Sequence, residues 1–291
     1  MKITHALVLF LANKAPATSA TYLQVWDEWR KHIKDPSRAS MGDAAQYLAT
    51  MTCADNTKRK KFKILRTLYA VFFDLKLVKE NPFSQAARFL SARKQQQVRP
   101  TKRISAADVR RLLDVEPVRD FHKVRDHAIL ALMFGCGLRR AELLRLNIDD
   151  VRVSQEGVPY LRLRDTKAGI EQEQPIPAWA LERVTAYIAE RHHFGATDSE
   201  PLFATRHGDE WRRMGHSNLY KLFVGYCKAL ELEPGTAPHA ARATAATQLL
   251  ESGESYDSVQ RFLRHKSPWM VQTYDKRRFS LRNNPGRKLQ Y

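Results

Sequence analysis

The chain has 291 residues, with 49 Lys plus Arg against 31 Asp plus Glu and a formal net charge of +18. Its length predicts two domains. A hydrophobic content of 43% with only 12 Gly and 13 Pro excludes a disordered basic tail, and no apolar run is long enough to span a membrane. The charge predicts a polyanionic partner, and composition does not choose between nucleic acid, an anionic membrane surface and acidic proteins.

In chain order, Ile3, Ala6, Leu7, Phe10 and Leu11 repeat at helical spacing. That period favours an amphipathic helix over a secretory leader, which the apolar stretch loosely imitates. A second helix is predicted through Trp26 and Trp29 toward His32, capped at Thr18, Ser19 or Thr21. A short helix is predicted over Met41 to Met51. A longer one opens at Asp55, Asn56 or Thr57 and runs to about Leu75, and a last one runs to about Arg93. Within the longer helix, Phe62, Leu65, Tyr69 and Phe72 form an apolar stripe opposite Lys58, Arg59, Lys60, Lys61, Lys63 and Arg66. A second basic set contains Arg88, Arg93, Lys94, Arg99, Lys102 and Arg103. Two dense clusters in one basic chain point to phosphate contacts.

The polar stretch Gln95 to Pro100 reads as a linker, so the domains are placed at 1–95 and 105–291, joined by 96–104. Ser105 followed by Asp108 has the spacing of a helix N-cap pair. Helices are then expected over Asp126 to Phe134, Arg140 to Leu146, Ala178 to His192, Ser217 to Leu230, Ala240 to Ser252 and Tyr256 to Leu263. Val158 to Arg164 alternates like an exposed edge strand, with Glu173 to Pro177 as its hairpin partner. The three cysteines, Cys53, Cys136 and Cys227, are far apart, which suits neither a disulfide framework nor a CxxC metal site and fits a reducing compartment.

No P-loop, GxGxxG or HExxH motif is present. His192 and His193 are adjacent and would point about 100° apart on a helix, so they make a poor metal pair. No metal or cofactor is therefore expected. What remains is a scattered set of donors. Arg139 follows the glycines of Gly135-Cys136-Gly137, with Glu142 three residues on and placed to hold it. His239 and Arg242 are three apart, His265 follows 23 residues later, and Tyr274 nine after that. Arginine presents a planar, permanently charged fork to phosphate oxygens. Fixed donors of this kind stabilise a five-coordinate phosphorus, and a tyrosine can attack it to give a phosphotyrosine.

These residues carry a resemblance to the tyrosine recombinases, the phage integrase and Xer-like superfamily. Gly135 to Val151 (GCGLRRAELLRLNIDDV) resembles the family's first box, His239-Ala-Ala-Arg242 its HxxR element, Leu263-Arg264-His265 its LGH element, and Thr273-Tyr274 its nucleophile. Asp165 to Gly169 followed by Pro175-Ile176-Pro177 resembles the hairpin bearing the family lysine, here Lys167.

The resemblance implies a mainly α fold with a small β-sheet. A helical, SAM-like core-binding domain and a mixed α/β catalytic domain would form a C-shaped DNA clamp. It also implies roles. Tyr274 attacks a DNA phosphate, giving a 3′-phosphotyrosine and a 5′-hydroxyl. Arg139, Arg242 and His265 bind the phosphate, Lys167 protonates the leaving oxygen, and His239 hydrogen-bonds the phosphate or assists as acid and base. The implied partner is duplex DNA at a recombination site, bound by a dimer on one site and a tetramer on two, through a Holliday junction. Accessory proteins are left open, no membrane is involved, and the expected location is the cytoplasm, with the nucleoid. A silent DNA-binding protein and a type IB topoisomerase-like enzyme are the rival readings. The complete residue set speaks against the first, and chain size and the Xer-like N-terminal part against the second. Two positions depart from the pattern: Arg264 stands where the family has Gly, and Ala241 where it has Leu. Arg264 is expected either to strain a left-handed turn or to add a phosphate contact.

Overall fold

A computed structural model describes residues 2–86, 102–115, 120–164, 171–207, 210–265 and 267–275. Lys167, Arg99, the expected helix end near Arg93, the first part of the linker and the basic tail from Lys276 lie outside the described residues. The chain divides into two compact units, Met1–Gln97 and Val98–Tyr291.

The described part of the first unit is helical: α1 (Ile3–Ala12), α2 (Pro16–His32), α3 (Met41–Thr50) and α4 (Asp55–Asp74). The start of α2 differs from expectation. It begins at Pro16 with no side-chain cap, because proline's fixed φ suits the first helical position and its missing N–H costs nothing there. Ser40 caps α3 reciprocally with Asp43. The predicted stripe of α4 is buried: Phe62, Leu65, Tyr69 and Phe72 pack with Trp26, Trp29 and Phe83. Trp29 Nε1 donates to Tyr69 Oη at 2.8 Å, which donates in turn to the Pro36 carbonyl at 2.9 Å, so the polar tips of both rings are satisfied inside the core.

The second unit is built around α6 (Asp120–Gly135). Ala128 to Phe134 are all buried, as in a helix enclosed on every side, with α8 (Ala178–His193) and α10 (His239–Glu251) packed against it. Helices α5 (Ala106–Leu113), α7 (Arg140–Arg145), α9 (His216–Ala229), α11 (Tyr256–Leu263) and α12 (Pro268–Gln272) complete its described helices. Ser105 caps α5 with Asp108 as expected. Ile104 is buried in this unit's core, and its N–H donates to Thr244 Oγ1 at 2.9 Å. Along α10 the small residues Ala240, Ala241, Ala243 and Ala246 are buried, which allows close packing on both sides. Ala241, the departure from Leu, therefore fills a core position.

A three-stranded antiparallel sheet has the order β1 (Val151–Val153), β2 (Pro159–Leu163), β3 (Gln172–Pro175). The expected edge strand is thus the central one, and Leu161 and Leu163 are buried. Its second neighbour, β1, is only three residues long, too short for alternation to be read. Asp150 orders the sheet: its Oδ2 accepts the Asn147 N–H at 2.9 Å, and its Oδ1 accepts Arg162 Nε at 2.9 Å from β2 and Arg164 Nε at 2.7 Å from the residue just after it. A separate hairpin, β4 (Ala204–His207) with β5 (Glu210–Arg213), was not anticipated. Arg213 secures it by donating to the carbonyls of Leu144 and Leu146. Cys53, Cys136 and Cys227 are free thiols. No described helix is long and apolar enough to cross a membrane, and among the described residues no group of His, Cys, Asp and Glu could hold a metal ion.

Candidate active site

The second unit brings Arg139, Glu142, Arg242, His265 and Tyr274 into one connected cluster, with His239 electrostatically coupled to it. α6 ends at Gly135, and the chain turns through Gly137 at φ +55°. Glycine is required there: a Cβ would sit 2.9 Å from the Phe262 ring. The turn aims the Gly137 carbonyl at Arg242 and delivers Arg139 to the N-cap of α7.

Arg139 is half-buried. Its Nη1 pairs with Glu142 Oε1 at 2.5 Å, its backbone N–H donates to Glu142 Oε2 at 2.8 Å, and its Nη2 donates to the Arg264 carbonyl at 3.0 Å. Glu142 is buried. Burial acts to raise its carboxyl pKa, but the charge of Arg264, then the hydrogen bonds and charge of Arg139, outweigh it and hold the pKa below the usual range. The carboxylate is therefore ionised at neutral pH.

Arg242 lies in the first turn of α10 and is 1% exposed. Its Nη1 donates to the Gly137 carbonyl at 2.5 Å and its Nη2 to the Leu263 carbonyl. It thereby stitches the turn before α7 to the end of α11. Burial first, then the neighbouring charges of Arg139 and Arg264, bring its pKa down to about 9, which still leaves it charged at neutral pH. Two of its five N–H donors are spent on the scaffold.

His265 follows the end of α11. Its backbone N–H donates to the Gln260 carbonyl at 3.0 Å, and its buried Nδ1 has no hydrogen-bond partner among the described residues. Its ring stacks on Tyr274, with centroids 6.0 Å apart and planes 25° from parallel. Burial, then Arg242 and Arg139, lower its pKa to about 4, so the imidazole is neutral at pH 7. His239 opens α10 and is exposed. Desolvation by the adjacent protein and the charges of Arg242 and Arg139 lower its pKa as well.

Tyr274 is 7% exposed. It packs with Ala243, Ala246, Leu250, Val259, Leu263 and Val271, and its carbonyl accepts Thr247 Oγ1 at 3.4 Å. The next residue, Asp275, accepts a hydrogen bond from Tyr256, which fixes the end of this segment. Burial raises the phenol pKa, while Arg242 and Arg139 pull against it. The hydroxyl is protonated at rest and sits in the positive field that would stabilise its anion.

Other candidate residues are placed as follows. On α4, Lys60 and Lys63 are exposed, Lys58 and Arg59 are partly covered, and Lys61 is paired with Glu28 at 2.5 Å. Lys102 is ion-paired with Glu233 at 2.6 Å and Arg103 with Glu251 at 2.5 Å. The inward path of Arg264 and its acceptor Gln174, a buried glutamine on β3, were missed. A polar residue at the buried phase of a strand was the available signal for Gln174.

Residues 102–280 match the profile of the phage integrase family. The chain is 29% identical over 203 residues to the tyrosine recombinase XerC of Vibrio atlanticus, covering 70% of this chain but only 63% of that protein, under two thirds of its length. It is 26% identical over 262 residues to the XerC of Vibrio campbellii, covering 88% of this chain and 80% of that one. The fold is shared with the Tn1549 transposon integrase in complex with circular intermediate DNA, at a TM-score of 0.72 and 17% identity over the whole of both chains. A profile match that spans the turn before Arg139, the first turn of α10 and the segment through Tyr274 settles the affiliation: the chain belongs to the phage integrase family, within the tyrosine recombinase superfamily.

Proposed function

We propose that this protein is a site-specific DNA recombinase that cleaves and rejoins duplex DNA through a phosphotyrosine at Tyr274. The observation that carries this reading is the position of Tyr274, stacked on a neutral His265 within the field of Arg139 and Arg242. The Tyr274 oxygen gives up its proton and bonds to phosphorus, and the bond from phosphorus to the 5′-oxygen breaks. The 5′-oxygen takes a proton, a role the family resemblance gives to Lys167. The product is a 3′-phosphotyrosine with a free 5′-hydroxyl. Because the ester energy is retained in the covalent link, attack by a second 5′-hydroxyl reverses the step on another strand.

Arg139 and Arg242 are each anchored by part of their fork, which pre-organises the remaining N–H groups toward the phosphate. His265, neutral at pH 7, would hydrogen-bond a phosphate oxygen or accept the phenolic proton, and His239 would contribute at the start of α10. The exposed lysines of α4 supply sequence-independent grip on the backbone. The working assembly is a dimer on one site and a tetramer on two, exchanging strands through a Holliday junction. The setting is the cytoplasmic nucleoid, and the substrate is a mobile element or a related resolution site.

A nicked suicide duplex tests the reading. Duplexes captured covalently by the wild-type protein from a randomised pool serve as substrate. Wild type is expected to form a 3′-linked adduct and Tyr274→Phe none. Adduct formation by Tyr274→Phe, or no capture by wild type, overturns the assignment.

A further inference from the structure

Arg264 occupies the place where the sequence leaves the family pattern, and the structure shows it bearing three unfavourable features together. Its backbone is left-handed, at φ 52° and ψ 46°. Its side chain is only 5% exposed, so a guanidinium has been taken out of water. Its buried Nε has no hydrogen-bond partner among the described residues. Each of these is costly, and such a residue persists only where its surroundings hold it in place. Those surroundings are specific. Nη2 pairs with Glu142 Oε2 at 2.9 Å, and Nη1 donates to Gln174 Oε1 on β3 and to the Phe262 carbonyl at 2.9 Å. The Arg264 carbonyl accepts Arg139 Nη2 at 3.0 Å. The side chain thus points into the protein, and the phosphate contact considered from sequence is not its role.

We propose that Arg264 is a positioning residue that shares the Glu142 carboxylate with Arg139 and so fixes the Arg139 guanidinium while leaving its positive charge available to the phosphate. The argument is one of charge as well as geometry. With Glu142 alone, Arg139 would form a closed, neutral ion pair. A second guanidinium on the same carboxylate leaves the trio with one net positive charge in a partly desolvated site, where such a charge acts strongly. The Arg264 carbonyl and the two Glu142 oxygens then hold Arg139 from separate directions. Glycine at this position would relax the turn but supply no such charge.

This inference rests on the reading that Arg139 acts on the scissile phosphate, and its test separates the two. Covalent adduct formation is measured on the captured suicide duplex and on the same duplex with a methylphosphonate, which lacks the anionic oxygen, at the scissile position. Arg264→Gly suits a left-handed turn, and Arg264→Asn is a second neutral variant that tolerates it. On the phosphodiester, both are expected to lose roughly 10- to 100-fold in rate, the scale of a displaced catalytic group. Arg264→Lys keeps a charge beside Glu142 and is expected to recover most of that loss. On the methylphosphonate, the difference from wild type should shrink to about threefold or less, because the negative charge that the positive trio meets at phosphorus is reduced by one. An equal loss on both substrates means a merely structural role and overturns the proposal, as does a wild-type rate for Arg264→Gly. If wild type captures the duplex and Tyr274→Phe does not, either of these results leaves the recombinase reading standing and removes only this inference.

Discussion

Gly137→Ala gives a sharp test of how the turn before α7 supports the site. Two costs can be worked out from the structure. The backbone at φ +55° is left-handed, which costs an L-residue about 1–2 kcal/mol. The added Cβ would lie 2.9 Å from Phe262 Cε1 and 3.3 Å from Leu263 Cδ2, so the end of α11 must move, at an overpacking cost of about 1–3 kcal/mol. The total is roughly 2–5 kcal/mol, which for a unit of this size lowers the melting temperature by roughly 4–20 °C. Gly157 supplies the control: it has φ +78° but nothing within 4 Å of its Cβ, so Gly157→Ala should incur the backbone cost alone. Scanning calorimetry of the full chain, with hydrogen exchange to assign the transition to the second unit, measures both variants. Because the Gly137 and Leu263 carbonyls hold Arg242, the DNA cleavage proposed above should also slow in Gly137→Ala at temperatures where the variant is still folded. A shift equal to that of Gly157→Ala, with normal cleavage, would refute the reasoning.

Two further outcomes are expected. His265 has a folded pKa of about 4 against an unfolded value near 6.5, so between those values the unfolded chain binds the extra proton. Its stabilising contribution is full above about pH 6.5 and is lost as pH falls toward 4; urea midpoints across this range should slope less for His265→Asn, and an unchanged slope sinks the claim. For α4, Lys60→Gln and Lys63→Gln should each reduce the salt dependence of DNA binding by about one phosphate contact, or about 0.9 in log–log slope. Lys61→Gln should change it less, because that ammonium already pairs with Glu28; titrations at several salt concentrations that rank the three the other way would discard the assignment.

Much of this was legible in the sequence because it is encoded locally. The stripe of Phe62, Leu65, Tyr69 and Phe72 has a helical period, and the Ser105–Asp108 pair has the spacing of a cap, so both were found without tertiary information. The candidate site residues were singled out through motif order, since Arg139, Arg242, His265 and Tyr274 are far apart in the chain and nothing local joins them. What escaped depends on partners distant in sequence. The edge or central status of β2 is decided by β1, whose three residues hold too little pattern to announce a strand. The direction of Arg264 is decided by Glu142, 122 residues earlier, and by Gln174 on β3. Composition marks an arginine as a surface residue by default, and only the buried carboxylate waiting for it reverses that expectation.

The electrostatics of the assembled site also bear on when Tyr274 can ionise. Arg139, Arg242 and Arg264 oppose the one carboxylate of Glu142, so the resting cluster is positive. That field draws the phenol toward its anion, yet burial outweighs it and the pKa stays above the ordinary value. A bound phosphodiester brings a negative charge of its own, which weakens the pull on the phenol further. Full deprotonation before attack is therefore unfavourable both in the resting site and in the loaded one. On the proposed function, the charge is accommodated only as the oxygen bonds to phosphorus, where the arginine forks would meet the oxyanion. On the function proposed above, proton removal then accompanies bond formation and needs an acceptor that is neutral at working pH and within hydrogen-bond reach of the phenolic oxygen. We propose His265 for this part: its ring stacks on Tyr274, and burial and the same arginines keep it unprotonated. The charges proposed to hold the phosphate are thus also among those that keep His265 neutral.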